Sequence, residues 1–328
     1  MKLIVDCDTG IDDALALLYA VASSDAELLA VTCTAGNVTA RQVAANTRAL
    51  LDLIGRPDVE VALGREVPLV RPLMIAPETH GPRGIGYAEL PQAKTPLSTR
   101  HSADLIIAEA QRAPGEVQLI TIGPLTNLAV ALVREPDLPR LVRGLVIMGG
   151  SYRSAGNTAP TTEWNVAVDP EAMEIVLAGW AACDGVPRPV ALGLDVTERA
   201  KMTPDHLASL HAAAGDPAAN PVLTFIDDAL RFYMKFHSQY DGFYGAFIHD
   251  ALAVASALDP ALITTESLAV RVELGGRWTT GETVTDWRRS WNAPPSLDVA
   301  VAADVETFFE RYIERVGSLA ARHPNVAI

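Results

Sequence analysis

The sequence predicts an α/β fold: an open, mostly parallel (mixed) central sheet with helices on both faces. Three observations lead there. Short apolar runs such as "LIV", "VQLITIG" and "GLVIMGG" alternate with longer segments of helical period, the pattern of strands joined by crossover helices. A chain of 328 residues can bury a large core. No repeat of fixed period, low-complexity tract or Pro/Gly/Ser-rich linker divides it, so residues 1–328 are expected to form one domain.

The elements follow in order. Residues 2–6 read as a strand, then a turn, then a helix over about 12–23. "ELLAVTCTAG" supplies a second strand, and "TARQVAANTRALLDLIG" a helix whose Gly55 suits a C-terminal cap. "VQLITIG" followed by "PLTNLAVALV" repeats the step, as does "GLVIMGG" followed, after a long loop, by "DPEAMEIVLAGW". "PVALGLDVT" reads as a further buried strand. Beyond residue 200, helices are expected over 204–212, 219–239 and 249–258, then strands in "SLAVRVEL" and "ETVTDWR", then a helix near 304–319. The loops at 77–96 and 149–162 are long enough to serve as lids or binding loops.

Composition narrows the function. The net charge of −14, from 40 acidic and 26 basic residues, comes with no basic stripe, which argues against nucleic acid and anionic membrane as partners. Cys7, Cys33 and Cys183 show no CxxC spacing and read as reduced residues of a cytoplasmic protein. The apolar run "LIV" between Lys2 and Asp6 is too short for a signal peptide, and no later run approaches a membrane span.

Four strand-end segments and one helix start could carry chemistry, because ligands of open α/β sheets bind beyond the carboxyl ends of the strands. "DCDTGIDD" at 6–13 crowds four carboxylates into eight residues. Asp12 and Asp13 could cap a helix N-terminus. Capping leaves Asp6 and Asp8 as buried like charges without partners, and a hard cation with oxygen ligands resolves that conflict. Gly10 allows the tight turn. "AGN" at 35–37 and "TIGPLTNLA" at 121–129, taken alone, read as turn and helix-start residues. The loop 156–172 offers Asn157, Glu163, Trp164 and Asn165, a set suited to a polyhydroxylated ligand but also ordinary for a polar loop. In "FIHDALAVASAL", His249 and Asp250 are either first-turn helix residues or a proton-handling histidine beside a further cation ligand.

The motifs "VDCDTGIDDALAL", "AGN", "GPLTNLA", "IMGG", "GN…EWN…DPEA" and "HDALAV" occur in an order that resembles the inosine-uridine preferring nucleoside hydrolases. The resemblance covers positions 3 to roughly 256. It implies an enzyme that cleaves the N-glycosidic bond of ribonucleosides with water, around one Ca²⁺, in a homodimer or homotetramer. It implies Asp8, Asp13, Asp250 and the main-chain carbonyl of Thr126 as metal ligands. Asp12, Asn37, Asn157, Glu163 and Asn165 are expected on the ribose, Met148 and Trp164 beside sugar and base, and His80 and His249 facing the base. Asp8 is expected to be the general base and His249 the leaving-group acid. Tyr233, His237 and Tyr240 could reach the pocket or simply pack. After His80 the chain reads "HGPRGIGYAELP" where many members read "HG" and then "GLDG", so Arg83 and Tyr87 become candidate base contacts.

Two alternatives stand beside this one. A haloacid-dehalogenase-type phosphatase would use Asp6 as nucleophile, Asp8 as acid and Mg²⁺, leaving "GIDD" and "HDALAV" unexplained. A non-catalytic nucleoside-binding protein would keep the cage without the chemistry.

Overall fold

Side chains alternate across a strand, so one register decides which residues meet which helical layer. In the computed structural model, which describes residues 1–215 and 220–323, that alternation separates two cores. Leu3, Val5 and Cys7 point into one hydrophobic cluster and Ile4 into the other. Val146 and Met148 follow the first, Leu145 and Ile147 the second.

The strands are β1 (Lys2–Cys7), β2 (Glu27–Cys33), β3 (Glu60–Leu63), β4 (Val117–Thr121), β5 (Gly144–Met148), β6 (Val190–Leu192), β7 (Lys201–Met202), β8 (Ala246–Phe247), β9 (Ile263–Leu268), β10 (Val270–Val272), β11 (Thr283–Thr285) and β12 (Leu297–Ala303). Eight of them form one sheet in the order β3-β2-β1-β4-β5-β6-β12-β9. Every pairing in it is parallel except β12 with β9. The expected open, mostly parallel mixed sheet is therefore present, with β7–β8 and β10–β11 as separate two-stranded pieces.

The helices are α1 (Ile11–Ala22), α2 (Ala40–Leu53), α3 (Pro77–His80), α4 (Ser102–Arg112), α5 (Thr126–Arg134), α6 (Leu138–Leu141), α7 (Trp164–Val168), α8 (Pro170–Ala181), α9 (Leu194–Thr197), α10 (Pro204–Ala214), α11 (Pro221–Tyr240), α12 (His249–Leu258) and α13 (Val305–Ala321). The first cluster packs α1, α2, α11, α12 and α13 on one face of the sheet, and the second packs α4, α5 and α8 on the other.

Several local expectations change. "PVALGLDVT" is a strand only over Val190–Leu192 and then turns into α9, because Asp195 accepts the N–H groups of Tyr152, Arg153 and Ser154 and leaves the sheet. "SLAVRVEL" is split between β9 and β10. The strand β12 was not expected: its inner positions alternate with alanine, a weak strand former, yet it joins β6 to the antiparallel edge. The helix expected over 219–239 runs over Pro221–Tyr240, and Ala219 lies outside the described residues.

Candidate active site

Strand β1 lies between β2 and β4, so the loops leaving these three strands converge at one edge of the sheet. Asp8 follows β1, Asn37 follows β2, Gly123 follows β4, and the 149–165 loop follows β5. Helix α12 packs against α1 and brings His249 and Asp250 to the same place.

The four aspartates of "DCDTGIDD" have four different jobs. Asp6 points to the opposite face, where Oδ1 accepts Thr32 Oγ1–H at 2.5 Å and Asn127 Nδ2–H at 2.8 Å. It does not line the cleft, so the phosphatase reading with Asp6 as nucleophile is not favoured. Asp13 is the local cap: it accepts the N–H of Asp8 at 3.0 Å, the N–H of Gly10 at 2.8 Å and Asn37 Nδ2–H at 3.1 Å. Asp12 caps a different helix. Its Oδ2 accepts the N–H groups of His249 at 2.8 Å and Asp250 at 3.2 Å, residues 237 and 238 positions away. Asp8 Oδ2 accepts the N–H of Asn37 at 2.7 Å.

Asp13 has both oxygens in use, whereas Asp6, on its own face of the sheet, keeps a buried Oδ2 without a hydrogen-bond partner among the described residues. Asp8 Oδ1, Asp12 Oδ1 and Asn37 Oδ1 are buried without a hydrogen-bond partner among the described residues. Burial, and then the charge of Asp13, hold the Asp8 and Asp12 carboxyls well above the usual carboxylate range. Burial and then Asp12 do the same to Asp250. Burial pushes Asp6 up to about 7, against the hydrogen bonds of Thr32 and Asn127. Such a group of acids is a strong acceptor set in search of positive charge.

Two glycines enclose Asp8. A Cβ on Gly123 would come within 2.7 Å of Asp8 Oδ1 and 2.8 Å of its nitrogen, and a Cβ on Gly36 would strike the other carboxylate oxygen. "AGN" and "TIGPL" are thus functional through their glycines, which the sequence reading passed over. The available signal was a glycine directly beyond a strand end.

Above the aspartates opens a cleft of about 660 Å³. Of the residues singled out in the sequence, Asp12, Asn37, His80, Met148, Asn157, Glu163, Trp164, Asn165, His249 and Asp250 line it. Asp8, Asp13 and Thr126 do not; Asp8 and Asp13 form the layer beneath, and Thr126 is buried with its hydroxyl donated to Asp169 at 2.7 Å. Glu163 is largely occupied by backbone, accepting N–H groups of Asn165 at 2.8 Å, Gly150 at 2.9 Å and Val166 at 3.1 Å. Burial nonetheless lifts its carboxyl to about 7. Asn165 donates Nδ2–H to the carbonyls of Ile122 at 2.9 Å and Met148 at 3.2 Å. Trp164 is half-buried, and its indole N–H has no partner among the described residues.

The histidines are neutral. Burial takes His80 and His249 down to about 3. His80 Nδ1 accepts the N–H of Ile11 at 3.2 Å, which places its proton on Nε2. His249 Nδ1 lies 2.8 Å from Thr197 Oγ1, which also reaches the Gly193 carbonyl at 3.1 Å.

The far wall comes from α11 and β8. Tyr233, His237 and Tyr240 all line the cleft rather than only packing within α11. Phe236, Asp241, Phe247 and Glu198 line it too and were not anticipated. Phe236 and Asp241 had only helical spacing as a signal, shared with any buried helix face, and Phe247 and Glu198 lie on β8 and just after α9, where no spacing marks them. Arg83 and Tyr87 do not line the cleft: Arg83 reaches Glu89 at 3.3 Å, and Tyr87 lies against Phe232 on the outer side of α11, ring centroids 5.1 Å apart. No lysine or arginine is among the described lining residues, whereas Asp12, Glu78, Glu163, Glu198, Asp241 and Asp250 are. This cleft repels phosphates and favours a neutral ligand that develops positive charge.

Comparison with known proteins agrees with the geometry. The family model of the inosine-uridine preferring nucleoside hydrolases matches residues 3–310. The pyrimidine-specific ribonucleoside hydrolase RihA of Enterobacter sp. (strain 638) is 36% identical over 323 residues, 98% of this chain and 99% of the relative. Among solved structures, the purine-preferring ribonucleoside hydrolase from Gardnerella vaginalis has a TM-score of 0.90 at 32% identity, covering 98% of this chain and 100% of that one. The plant nucleoside hydrolase PpNRh1 follows at 0.88 and 29%, covering 97% and 99%. The chain belongs to the inosine-uridine preferring nucleoside hydrolases, and its reaction is hydrolysis of the N-glycosidic bond of ribonucleosides.

Proposed function

We propose that the ribose lies over the aspartate layer with the base toward α11, and that the layer takes Ca²⁺. The supporting observation is the set of three buried, unpartnered acceptor oxygens on Asp8, Asp12 and Asn37, in a cleft with no described lysine or arginine to neutralise them. Among the described residues no three His, Cys, Asp or Glu stand in ready metal-holding geometry, so the donor chemistry carries the reading. Asp8, Asp13, Asp250 and the Thr126 carbonyl would hold the ion; Asp13 has three of roughly four lone-pair sites in use and keeps capacity for one more contact. When bound, such an ion lowers the pKa of water and fixes its position.

Asp8 then takes the proton of the attacking water. Asp12 offers Oδ1, its Oδ2 being committed to α12, and Asn37 offers its free Oδ1 to ribose hydroxyls. Asn157, Glu163 and Asn165 complete the sugar contacts, with Met148 and Trp164 against sugar and base. Positive charge grows on the ribose as the bond breaks, and the surrounding carboxylates stabilise it. His80 presents Nε2–H toward the base. His249 can serve as the leaving-group donor when Thr197 turns its single hydroxyl proton from Gly193 to Nδ1, which leaves the histidine proton on Nε2.

Residues 1–328 work as one domain in this reading. A homodimer or homotetramer fits the exposed Val70 and Trp278, and a cytoplasmic setting fits the free thiols of Cys7, Cys33 and Cys183. No described helix is long and apolar enough to cross a membrane.

The test is release of ribose and free base from inosine, uridine and cytidine by native and chelator-treated protein, with elemental analysis of both. Full activity without a bound divalent ion overturns the cation assignment. Binding of all three nucleosides without cleavage overturns the catalytic roles.

A further inference from the structure

One pair of side chains at the α11 end of the cleft has no part in the chemistry above. His237 Nδ1 lies 2.7 Å from Asp241 Oδ2, and both residues line the cleft. His237 Nε2 is buried and has no hydrogen-bond partner among the described residues. Aromatic rings surround the imidazole, with centroids of Tyr233 at 4.5 Å, Phe247 at 4.8 Å and Phe243 at 5.6 Å. The same ring cluster reaches His80, 5.5 Å from Tyr233, and His249, 5.6 Å from Phe247. His80, bonded to the N–H of Ile11, and His249, whose N–H Asp12 accepts, join this cluster to the aspartate layer, and the His237–Asp241 pair lies on the α11 wall where the proposed pose puts the base.

A carboxylate on Nδ1 draws the imidazole proton to that side, so the neutral ring keeps its lone pair at Nε2. Burial keeps the ring neutral, drawing its pKa below the usual histidine value although Asp241 pulls the other way. Glu198, on α9's C-terminal flank, and Lys201, whose Nζ sits 4.7 Å over the Phe243 ring, are the other charged neighbours, and their signs oppose. An enclosed acceptor with no partner carries a desolvation penalty in the empty protein. A bound molecule with an N–H at that point removes it.

We propose that His237, oriented by Asp241, determines base specificity by accepting a hydrogen bond at Nε2 from a ring N–H or exocyclic amine of the nucleobase. The inference rests on the reading that the base points toward α11. It selects for leaving bases that carry such a hydrogen, and against those in which it is blocked.

The experiment compares kcat/KM for uridine with 3-methyluridine and for inosine with 1-methylinosine, with p-nitrophenyl riboside as a reference lacking a nucleobase. Wild-type protein should disfavour the methylated member of at least one pair by roughly 5- to 150-fold, mainly through KM. His237→Leu should level that ratio, and its loss on p-nitrophenyl riboside should be at least tenfold smaller than on the parent nucleoside. His237→Gln, which restores an acceptor, should recover part of the discrimination, and Asp241→Asn should fall between. Wild-type discrimination retained in His237→Leu overturns the inference, as does an equal loss on p-nitrophenyl riboside. A wild-type protein that cleaves neither nucleosides nor p-nitrophenyl riboside overturns the underlying reading instead.

Discussion

The aspartate layer and the α11 wall face each other across one cleft and are built on opposite plans. Asp8, Asp12 and Asp13 come from one contiguous stretch, and each has an oxygen fixed by backbone N–H groups. Their positions are set by the main chain of β1, α1 and α12, which the sheet and its helices hold. Tyr233, Phe236, His237 and Tyr240 share one face of α11 by helical spacing, and their contacts are mostly ring against ring. Side chains on a helix face can be exchanged without moving the backbone, so in the proposed pose a change of base preference at α11 needs no change in the aspartate layer. Two relatives of similar identity carry opposite base preferences in their names, pyrimidine-specific at 36% and purine-preferring at 32%, which is what that division of labour allows.

The sharpest way to break the comparison is at Asp8. Asp8→Ala removes the proposed base and a cation ligand together, and kcat should fall by roughly 10⁴-fold on inosine, uridine and p-nitrophenyl riboside alike. A rate within tenfold of wild type would show that the layer is structural. Uniform loss across substrates is the signature of the sugar end.

The layer should also govern stability once cations are removed. Burial holds the Asp8, Asp12 and Asp250 carboxyls well above the unfolded value of 3.8, and Asp6, on the other face of β1, is pushed up to about 7. Each such group contributes stability that is complete below pH 4 and is lost as pH rises through its folded value, a loss of about 4 kcal/mol by pH 7 for Asp6. Chelated protein should therefore melt at progressively lower temperature from pH 5 to pH 8. Added Ca²⁺ competes with those protons, so it should raise Tm more at pH 8 than at pH 5. Equal Ca²⁺ shifts at both pH values, measured by thermal denaturation, would separate the ion from the acid cluster.

A smaller perturbation reaches the same carboxylate from outside. Gly123→Ala places a methyl 2.7 Å from Asp8 Oδ1 where only displacement relieves the contact, and a shift of about 1 Å at a catalytic group commonly costs on the order of 10²-fold in rate. Unchanged kcat with an unchanged fold by circular dichroism would mean that the cradle yields without moving the carboxylate.

The same contrast explains what was legible in the sequence. Crowded like charges beyond a strand are improbable without a purpose, so "DCDTGIDD" stood out, as did the His249–Asp250 pair. Which aspartate did what was hidden: Asp12 caps α12 across 237 positions, and Asp6, still inside β1, bonds Thr32 and Asn127, whereas Asp8 lies beyond the strand end, where the alternation stops. The sheet was readable from its central apolar runs, whereas β12 was hidden by its alanines and β3 by its brevity, four residues. Asp241 was hidden, and His237 was left open between cleft and packing, for a different reason, since an i, i+4 pair on an amphipathic helix looks the same whether it faces a core or a substrate.

The least disruptive change tests where the base end stops. In sequence, the departure after His80 pointed to Arg83 and Tyr87 as base contacts, but Gly86, at φ 60°, turns this loop so closely onto α11 that a Cβ there would lie 2.7 Å from Phe232 Cβ. Tyr87 is 43% exposed and is held on the outside by Phe232 and by Lys235, whose Nζ lies 4.9 Å from its ring centroid. Those contacts fasten the loop and leave the cleft to the inner face of α11. Tyr87→Ala should lower stability by about 1 kcal/mol, the usual worth of an aromatic pair with a partly exposed cation, and change kcat/KM on uridine and inosine by less than threefold each. A loss above tenfold on one nucleoside and not the other would place the loop against the base, and base recognition would then belong to two elements that move relative to each other rather than to one rigid helix face.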